Sequence, residues 1–182
     1  MRFNPFPVLE TEHLVLRKMT TGDRDDFFAM RSDERMHAYT DTKPDSDAAQ
    51  TEAYLDKMIQ GVNEDRWIIW AIEHRASRGA IGSVGIWNFD EDRSSAELSY
   101  GIAPDEQGKG YMKEALARVV VFATDDLRLR LLEAYTESEN TPSRKLLEHL
   151  HFAEKGQVDD LSADGTRVYH MIVYQLECQP NH

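Results

Sequence analysis

The residues that could do chemistry are concentrated in a glycine-rich turn, Gln107-Gly108-Lys109-Gly110-Tyr111-Met112. A strand that leads through glycines into a helix can hold a phosphate, because backbone N–H groups and the positive end of the helix dipole point at it. Gly108 and Gly110 carry no Cβ and would let a phosphate approach the backbone closely. The plainer interpretation is a helix-entry turn that uses glycine for its positive φ. Lys109 either adds charge beside the phosphate or is only solvated.

The surrounding sequence predicts a mixed α/β domain in which this turn follows a strand. Runs of β-branched and aromatic residues predict strands, and apolar residues at helical spacing predict helices. Thr141 followed by Pro142 predicts a helix with a threonine cap, and Asp164-Gly165 predicts a hairpin. The predicted order is strand 14–17, a helix after Thr20, helix 47–60, strands 67–73, 80–89 and 95–102, helix 113–123, strand 131–138, a helix after its cap at 141, and strands 152–158 and 168–176.

The chain is acidic, with a formal net charge of −12 over 182 residues. A nucleic-acid partner is disfavoured because phosphate contacts need a basic face. A free amine, a polyamine or a basic protein N-terminus fits the acidic field better, unless the charge serves solubility alone. The single cysteine, Cys178, cannot form an internal bridge, which fits a reducing compartment. The sequence has no long apolar run or signal-peptide core, so we expect a cytoplasmic protein without a membrane partner.

Three segments of the chain carry a specific family resemblance. The pattern Gln107-x-x-Gly110-x-Met112, together with the preceding strand 96–102, is similar to an acetyl-CoA pyrophosphate loop and its strand. The opening segment 11–17 is similar to a T-x-R-L-x-L-R entry, and the segment 140–152 is similar to an N-x-x-S-x-x-L-x-x-x-x-G-F pattern. Together they resemble the GNAT superfamily of N-acetyltransferases. The likeness is closest to its RimJ/RimL branch, which includes enzymes that acetylate ribosomal-protein N-termini.

Three positions depart from the family patterns. Met112 stands where the loop prefers glycine or alanine, so its side chain must point away from the phosphate while its backbone amide remains. His151 replaces the usual glycine before Phe152, and His13 replaces the arginine of the opening segment. None of the three removes a group that does chemistry.

The resemblance implies a GNAT fold, with a mixed, mostly antiparallel sheet of six to seven strands and about four helices. It implies a single domain over 1–182 with a core at about 11–177. The strand 95–102 should carry a distortion, for which Gly101 is a reasonable place, and should splay from the next strand to open a cleft. Acetyl-CoA would bind to the strand end, the glycine turn and an asparagine: Tyr100, Gly101, Ile102, Gln107, Gly108, Lys109, Gly110, Tyr111, Met112 and Asn140.

The resemblance also implies two catalytic residues. Glu97 matches a strand glutamate that accepts the proton of the attacking amine, because an alkyl ammonium cannot attack a thioester. Ser143 matches a serine that stabilises or protonates the coenzyme A thiolate. The ordinary alternatives are an exposed strand glutamate for Glu97, and loop and cap residues for Asn140 and Ser143. No metal is expected, since His149 and His151 lack further ligands at suitable spacing.

The expected activity is acetyl transfer from acetyl-CoA to a primary amine by direct transfer in a ternary complex. No covalent enzyme intermediate is expected, because Cys178 lies far from every motif. A protein or peptide N-terminal α-amine is the first acceptor class, and a small amine such as an amino acid, a polyamine or an aminoglycoside is the second. A non-catalytic acyl-CoA-binding regulator would need neither Glu97 nor Ser143. The resemblance is compatible with a monomer or a homodimer.

Overall fold

A computed structural model describes residues 3–179 and shows one mixed sheet with helices on both faces. The strands are β1 (Leu9–Glu10), β2 (Leu14–Lys18), β3 (Ile68–His74), β4 (Ala80–Trp87), β5 (Ser95–Ile102), β6 (Leu131–Glu137), β7 (Ala153–Leu161) and β8 (Val168–Glu177). The α-helices are α1 (Arg24–Arg31), α2 (Ala48–Asn63), α3 (Tyr111–Asp125) and α4 (Thr141–His149). Short 3-10 turns lie at Thr21–Asp23, Glu34–His37 and Pro104–Glu106. No helix within residues 3–179 is long and apolar enough to cross a membrane.

The strand order across the sheet is β1-β2-β3-β4-β5-β6-β8-β7. Every neighbouring pair is antiparallel except β5 and β6, which are parallel because α3 connects them. The predicted mixed fold with about four helices is confirmed. The sheet has eight strands rather than six or seven because Leu9–Glu10 pairs with β2, and two residues are too few to show an alternating pattern.

The two parallel strands separate soon after they meet. They pair only over Ser95–Glu97 and Leu131–Glu133, yet β5 continues to Ile102 and β6 to Glu137. The predicted splay is therefore present, and it leaves the β6-facing edge of β5 beyond Glu97 without a strand partner.

The predicted distortion at Gly101 is wrong. The register of β5 with β4 runs without a shift, and Gly101 stands opposite Ser83 as an ordinary strand residue. Gly101 instead lies close to a side chain from another part of the chain. A Cβ at this position would lie 3.5 Å from the terminal methyl of Met36, which belongs to the segment between α1 and α2.

Helices on the two faces bury two apolar clusters against the sheet. On one face α3 packs Ala115, Leu116 and Val119 against the strand residues Leu98 and Ile102. On the other face α1 and α2 contribute Phe27, Met30 and Leu55, which pack with Ala71 of β3 and Ala80 of β4. Because successive strand residues point to opposite faces, the even-numbered residues of β5 face α3 and the odd-numbered residues face the opposite side.

Helix α4 begins one residue earlier than the sequence pattern predicts. Asn140, not Thr141, is the N-cap, and its Oδ1 accepts a hydrogen bond from the Ser143 backbone N–H at 3.3 Å. Asparagine satisfies a first-turn amide in this way, while Thr141 is already the first helical residue. The helix ends before His151, whose φ of 67° is left-handed. This conformation explains why the family pattern has glycine at that position.

Candidate active site

The splay between β5 and β6 opens a cleft of about 610 Å³. Its walls come from β5, the turn before α3, the end of β6, the start of α4 and the segment between α1 and α2. Eleven of the twelve residues predicted for the site line the cleft: Glu97, Tyr100, Gly101, Ile102, Gln107, Gly108, Gly110, Tyr111, Met112, Asn140 and Ser143. Lys109 is the one that does not, and its Nζ instead forms an ion pair with Glu106 at 3.0 Å.

The glycine turn presents the free N-terminus of α3 to the cleft. Gly108 and Gly110 have φ values of 76° and 83°, a left-handed conformation that other residues adopt at a cost. Gly110 is the N-cap of α3 and provides no side-chain acceptor for the first-turn amides. A Cβ on either glycine would meet no protein atom within 4 Å, so the space in front of these amides is open. This arrangement fits a diphosphate group.

The turn is held to its surroundings at both ends. The Gln107 Nε2 donates a hydrogen bond to the Ile102 carbonyl at 3.2 Å and so ties the turn to the end of β5. Met112 is buried in the core beneath α3, and its side chain therefore packs away from the helix N-terminus. The Tyr111 hydroxyl lies 3.1 Å from Nε2 of His74 on β3.

The first turn of α3 is also anchored to the start of β2. The Glu114 carboxylate accepts hydrogen bonds from the His13 backbone N–H at 2.8 Å and from the Thr11 hydroxyl, and it lies 2.9 Å from Nδ1 of His13. The hydrogen bond to Glu114 raises the pKa of His13 above its ordinary value. For Glu114, burial favours the neutral acid, but the hydrogen bonds from Thr11 and His13 outweigh it and lower the pKa. His13, a titratable residue at the position where the family pattern has arginine, is thus a partner of Glu114.

Glu97 lies on the face of β5 that is turned away from α3. It pairs across the sheet with Trp87 of β4, and its Oε1 accepts a hydrogen bond from the Asn88 amide at 2.5 Å. Within residues 3–179 no basic side chain forms an ion pair with it. Trp87 and Tyr135, which are 42% and 41% exposed, line the same part of the cleft. A carboxylate between aromatic rings can attract an amine and accept its proton.

Ser143 lies in the first turn of α4, on the other side of the splay. Its Oγ is 2.6 Å from the hydroxyl of Tyr100 on β5. Burial raises the pKa of the Tyr100 hydroxyl to about 12, although its hydrogen bond with Ser143 acts in the opposite direction. Arg144 fixes the helix in place through hydrogen bonds to the Tyr174 hydroxyl at 3.1 Å and the Ser138 carbonyl at 3.2 Å.

The segment between α1 and α2 closes the cleft on the side of Glu97. Met36, Tyr39 and Thr40 line it. The Thr40 carbonyl accepts a hydrogen bond from the Tyr169 hydroxyl at 3.2 Å, and the Asp41 carboxylate accepts one from the Ala163 backbone N–H at 2.7 Å. This segment is therefore attached to the hairpin between β7 and β8.

Several cleft residues were not predicted from the sequence. Trp87 and Tyr135 could have been found from strand alternation, since each lies on the same face of the sheet as Glu97. Tyr100 was predicted as a site residue, but its hydroxyl contact with Ser143 could not be, because Ser143 is 43 residues away and only the tertiary fold brings the two together.

The sheet with one splayed parallel pair, and the glycine turn at the N-terminus of α3, define an acyl-coenzyme A-dependent acetyltransferase fold. The profile of the acetyltransferase (GNAT) domain matches residues 13–153. The chain belongs to the GNAT family of acetyltransferases, and the expected enzyme class, an N-acetyltransferase, is confirmed.

Individual relatives agree with this assignment. Uncharacterized N-acetyltransferase p20 of Bacillus licheniformis is 30% identical over 177 residues, which cover 92% of this chain and 94% of p20. Spermidine N(1)-acetyltransferase of Vibrio cholerae is 25% identical over 145 residues, 80% of this chain and 82% of the relative. The structure of RimL, a ribosomal L7/L12 α-N-protein acetyltransferase in complex with coenzyme A, superimposes with a TM-score of 0.82. RimL is 13% identical to this chain, and the superposition covers 96% of this chain and 100% of RimL. At this identity the likeness shows the fold alone.

Proposed function

We propose that this protein transfers an acetyl group from acetyl-CoA to the N-terminal α-amine of a protein or peptide by direct transfer in a ternary complex. The observation that carries the proposal is the splay of β5 from β6. The splay opens a cleft that is lined by Glu97 from one face of the sheet and by the glycine turn and Ser143 from the other. The proposal takes residues 1–182 as a single acetyltransferase domain with its core at about 11–177.

The residues of the cleft fit acetyl-CoA in three places. The backbone N–H groups from Gly108 to Met112 would hold the diphosphate, aided by the dipole of α3. The partner-free edge of β5 at 100–102 would pair with the pantetheine arm as an added strand does. The Asn140 amide could donate to the same arm while its Oδ1 caps α4. Bound there, acetyl-CoA supplies the acetyl group as a thioester.

Glu97 is suited to accept the proton of the attacking amine. Its carboxylate is bonded by the neutral Asn88 amide rather than by a cation, so its negative charge is available to an ammonium group. The amine becomes a nucleophile only after it loses this proton. Backbone N–H groups on the free edge of β5 would polarise the thioester carbonyl.

Ser143 is suited to stabilise the leaving thiolate. Its hydroxyl lies in the first turn of α4, where the positive end of the helix dipole favours negative charge. The cleft thus has a proton acceptor on one face of the sheet and a hydrogen-bond donor on the other, with the partner-free edge of β5 between them.

An N-terminal α-amine is the acceptor that the shape of the cleft supports best. Trp87 and Tyr135 are exposed at the end of the cleft beside Glu97, so a chain end can enter from solvent. The net charge of −12 would attract a basic segment. RimL, which shares the fold, is described as an α-N-protein acetyltransferase.

A small polycationic amine is the second candidate. The observation in its favour is the similarity to spermidine N(1)-acetyltransferase over 80% of this chain. The aromatic side chains beside Glu97 suit a cationic amine of either class, because cations bind to the faces of aromatic rings.

The test is release of coenzyme A thiol from acetyl-CoA in the presence of a panel of amines. The panel contains basic N-terminal peptides, the same peptides with blocked N-termini, spermidine, amino acids and an aminoglycoside. Release with free but not blocked peptides would support the first acceptor class, and release with spermidine alone would support the second. Tight binding of acetyl-CoA without release from any amine would favour a non-catalytic regulator and contradict the proposal.

A further inference from the structure

The hydrogen bond between Tyr100 and Ser143 joins the two sides of the splay. Tyr100 belongs to the part of β5 that has already separated from β6, and Ser143 belongs to the helix that follows β6. Their hydroxyl oxygens are 2.6 Å apart, and both residues line the cleft. Tyr100 shares the α3-facing side of β5 with Leu98 and Ile102, so its ring packs against the core while its hydroxyl contacts Ser143.

The protonation state of Tyr100 allows its hydroxyl to donate a hydrogen bond to Ser143. Burial raises the pKa of its hydroxyl to about 12, so the group is a neutral O–H donor across the range in which proteins function. A serine hydroxyl has one proton and two lone pairs. If Tyr100 donates to one lone pair of Ser143, the serine proton is free to point at another acceptor in the cleft.

We propose that Tyr100 is a positioning residue for acetyl transfer, which holds the Ser143 hydroxyl so that its proton faces the departing sulfur. The inference rests on the function proposed for Ser143. Before the transfer, the ammonium loses one proton through Glu97 to solvent, which makes it a nucleophile. In the transfer the N–C bond forms, the C–S bond breaks with its electron pair going to sulfur, and the second proton of the nitrogen goes to Glu97. Ser143 donates a hydrogen bond to the sulfur, and the proton on Glu97 returns to the thiolate through solvent. Tyr100 keeps its own proton throughout.

The surroundings of the pair make this orientation specific. Arg144 opposes a shift of Ser143 with the helix, because it ties α4 to the Tyr174 hydroxyl and to the Ser138 carbonyl. The Ser143 backbone N–H is held by Asn140. The remaining freedom is rotation of the hydroxyl, and the Tyr100 hydroxyl restricts that rotation.

The test compares Tyr100→Phe, Ser143→Ala and the double variant with the wild type. Tyr100→Phe removes the hydroxyl and retains the ring. Tyr54→Phe is the matched control, since this tyrosine is partly buried, as Tyr100 is, but lies on α2 outside the cleft. Thermal unfolding shows that each variant is folded, and kcat and KM for acetyl-CoA are then measured with an accepted amine.

We expect Tyr100→Phe to lower kcat roughly tenfold, with KM for acetyl-CoA within about twofold of the wild-type value. The double variant should be no slower than Ser143→Ala, because the tyrosine acts through the serine. The proposal would be overturned if the loss of kcat in the double variant equalled the product of the two single-variant losses, or if kcat were unchanged in Tyr100→Phe. A lower KM with unchanged kcat would show instead that the pair obstructs the cleft.

A second measurement needs no acceptor. The pKa of the thiol of bound coenzyme A is followed by the ultraviolet absorbance of its thiolate, with desulfo-coenzyme A as the blank. The Ser143 hydrogen bond should lower this pKa in the wild type, and both single variants should raise it again, whereas Tyr54→Phe should not. The same thiol pKa in the wild type and Tyr100→Phe would refute the role of Tyr100 even if acetyl transfer is established. Wild-type protein that binds no coenzyme A would overturn the proposed function, and this inference with it.

Discussion

Replacing Gly110 by alanine separates the backbone strain of the glycine turn from its proposed contact with phosphate. Gly110 has a φ of 83°, and an added Cβ would meet no protein atom within 4 Å. In the free protein the substitution therefore costs only the left-handed conformation of a residue with a side chain. Gly165, in the hairpin between β7 and β8, has a φ of 72° and equally open surroundings. Gly165→Ala is thus a matched control outside the cleft.

The two variants should have similar stabilities and different affinities. A left-handed non-glycine residue costs about 1–2 kcal/mol, which lowers the melting temperature of a chain of this size by roughly 2–4 °C per kcal/mol. In Gly110→Ala alone, the new methyl group enters open space at the turn that is proposed to hold the diphosphate. Loss of one hydrogen bond to a charged phosphate costs about 1.5–3 kcal/mol, which corresponds to a roughly 10- to 100-fold increase in Kd.

Calorimetric titration of acetyl-CoA, beside thermal unfolding of the same samples, measures both quantities. Equal melting temperatures with weaker binding in Gly110→Ala alone would support a diphosphate site at the glycine turn. If Gly110→Ala binds acetyl-CoA as tightly as Gly165→Ala does, the turn only redirects the chain into α3, and the reasoning is refuted.

Four further outcomes can be tested. Glu97→Gln should lower kcat by roughly 10²- to 10⁴-fold, while Glu133→Gln, on the neighbouring strand, should change it by less than about threefold; equal losses would argue against a specific proton acceptor. Asn140→Asp keeps the oxygen that caps α4, so it should retain the melting temperature and weaken acetyl-CoA binding, whereas Asn140→Ala should also lose about 1 kcal/mol of stability. The pKa of His13 is raised above 6.5, so the stability that protonated His13 contributes is present below pH 6.5 and is lost as the pH rises through the raised pKa. The difference in melting temperature between wild type and His13→Gln should therefore shrink as the pH rises from 6.5 through the raised pKa, and a constant difference would contradict the ion pair with Glu114. His151→Gly relieves a φ of 67° and should raise the free energy of unfolding by about 0.5–1 kcal/mol, measured by urea denaturation; a destabilised variant would show that the histidine ring makes a compensating contact.

The sequence determined the order of the elements and the local geometry of the turn. Glycines between an apolar strand and a periodic helix predict a left-handed helix entry, because φ preferences are properties of single residues and their neighbours. The structure has this geometry at Gly108 and Gly110. Strand alternation likewise decides that Glu97 and Tyr100 lie on opposite faces of β5. The two local errors were a distortion at Gly101, which the family resemblance implied, and a cap at Thr141, which the sequence pattern predicted one residue too late.

Only the tertiary structure decided which of these groups meet. The Tyr100 and Ser143 hydroxyls come from opposite sides of the splay, and the anchor of α3 joins His13 to Glu114 across 101 residues. The splay itself is a tertiary feature, because β5 and β6 share only three paired positions before they separate. Such contacts depend on how whole elements pack, and the spacing of residues along the chain does not predict that packing. The candidate residues were therefore predictable from the sequence, whereas the partners that they meet across the cleft required the fold.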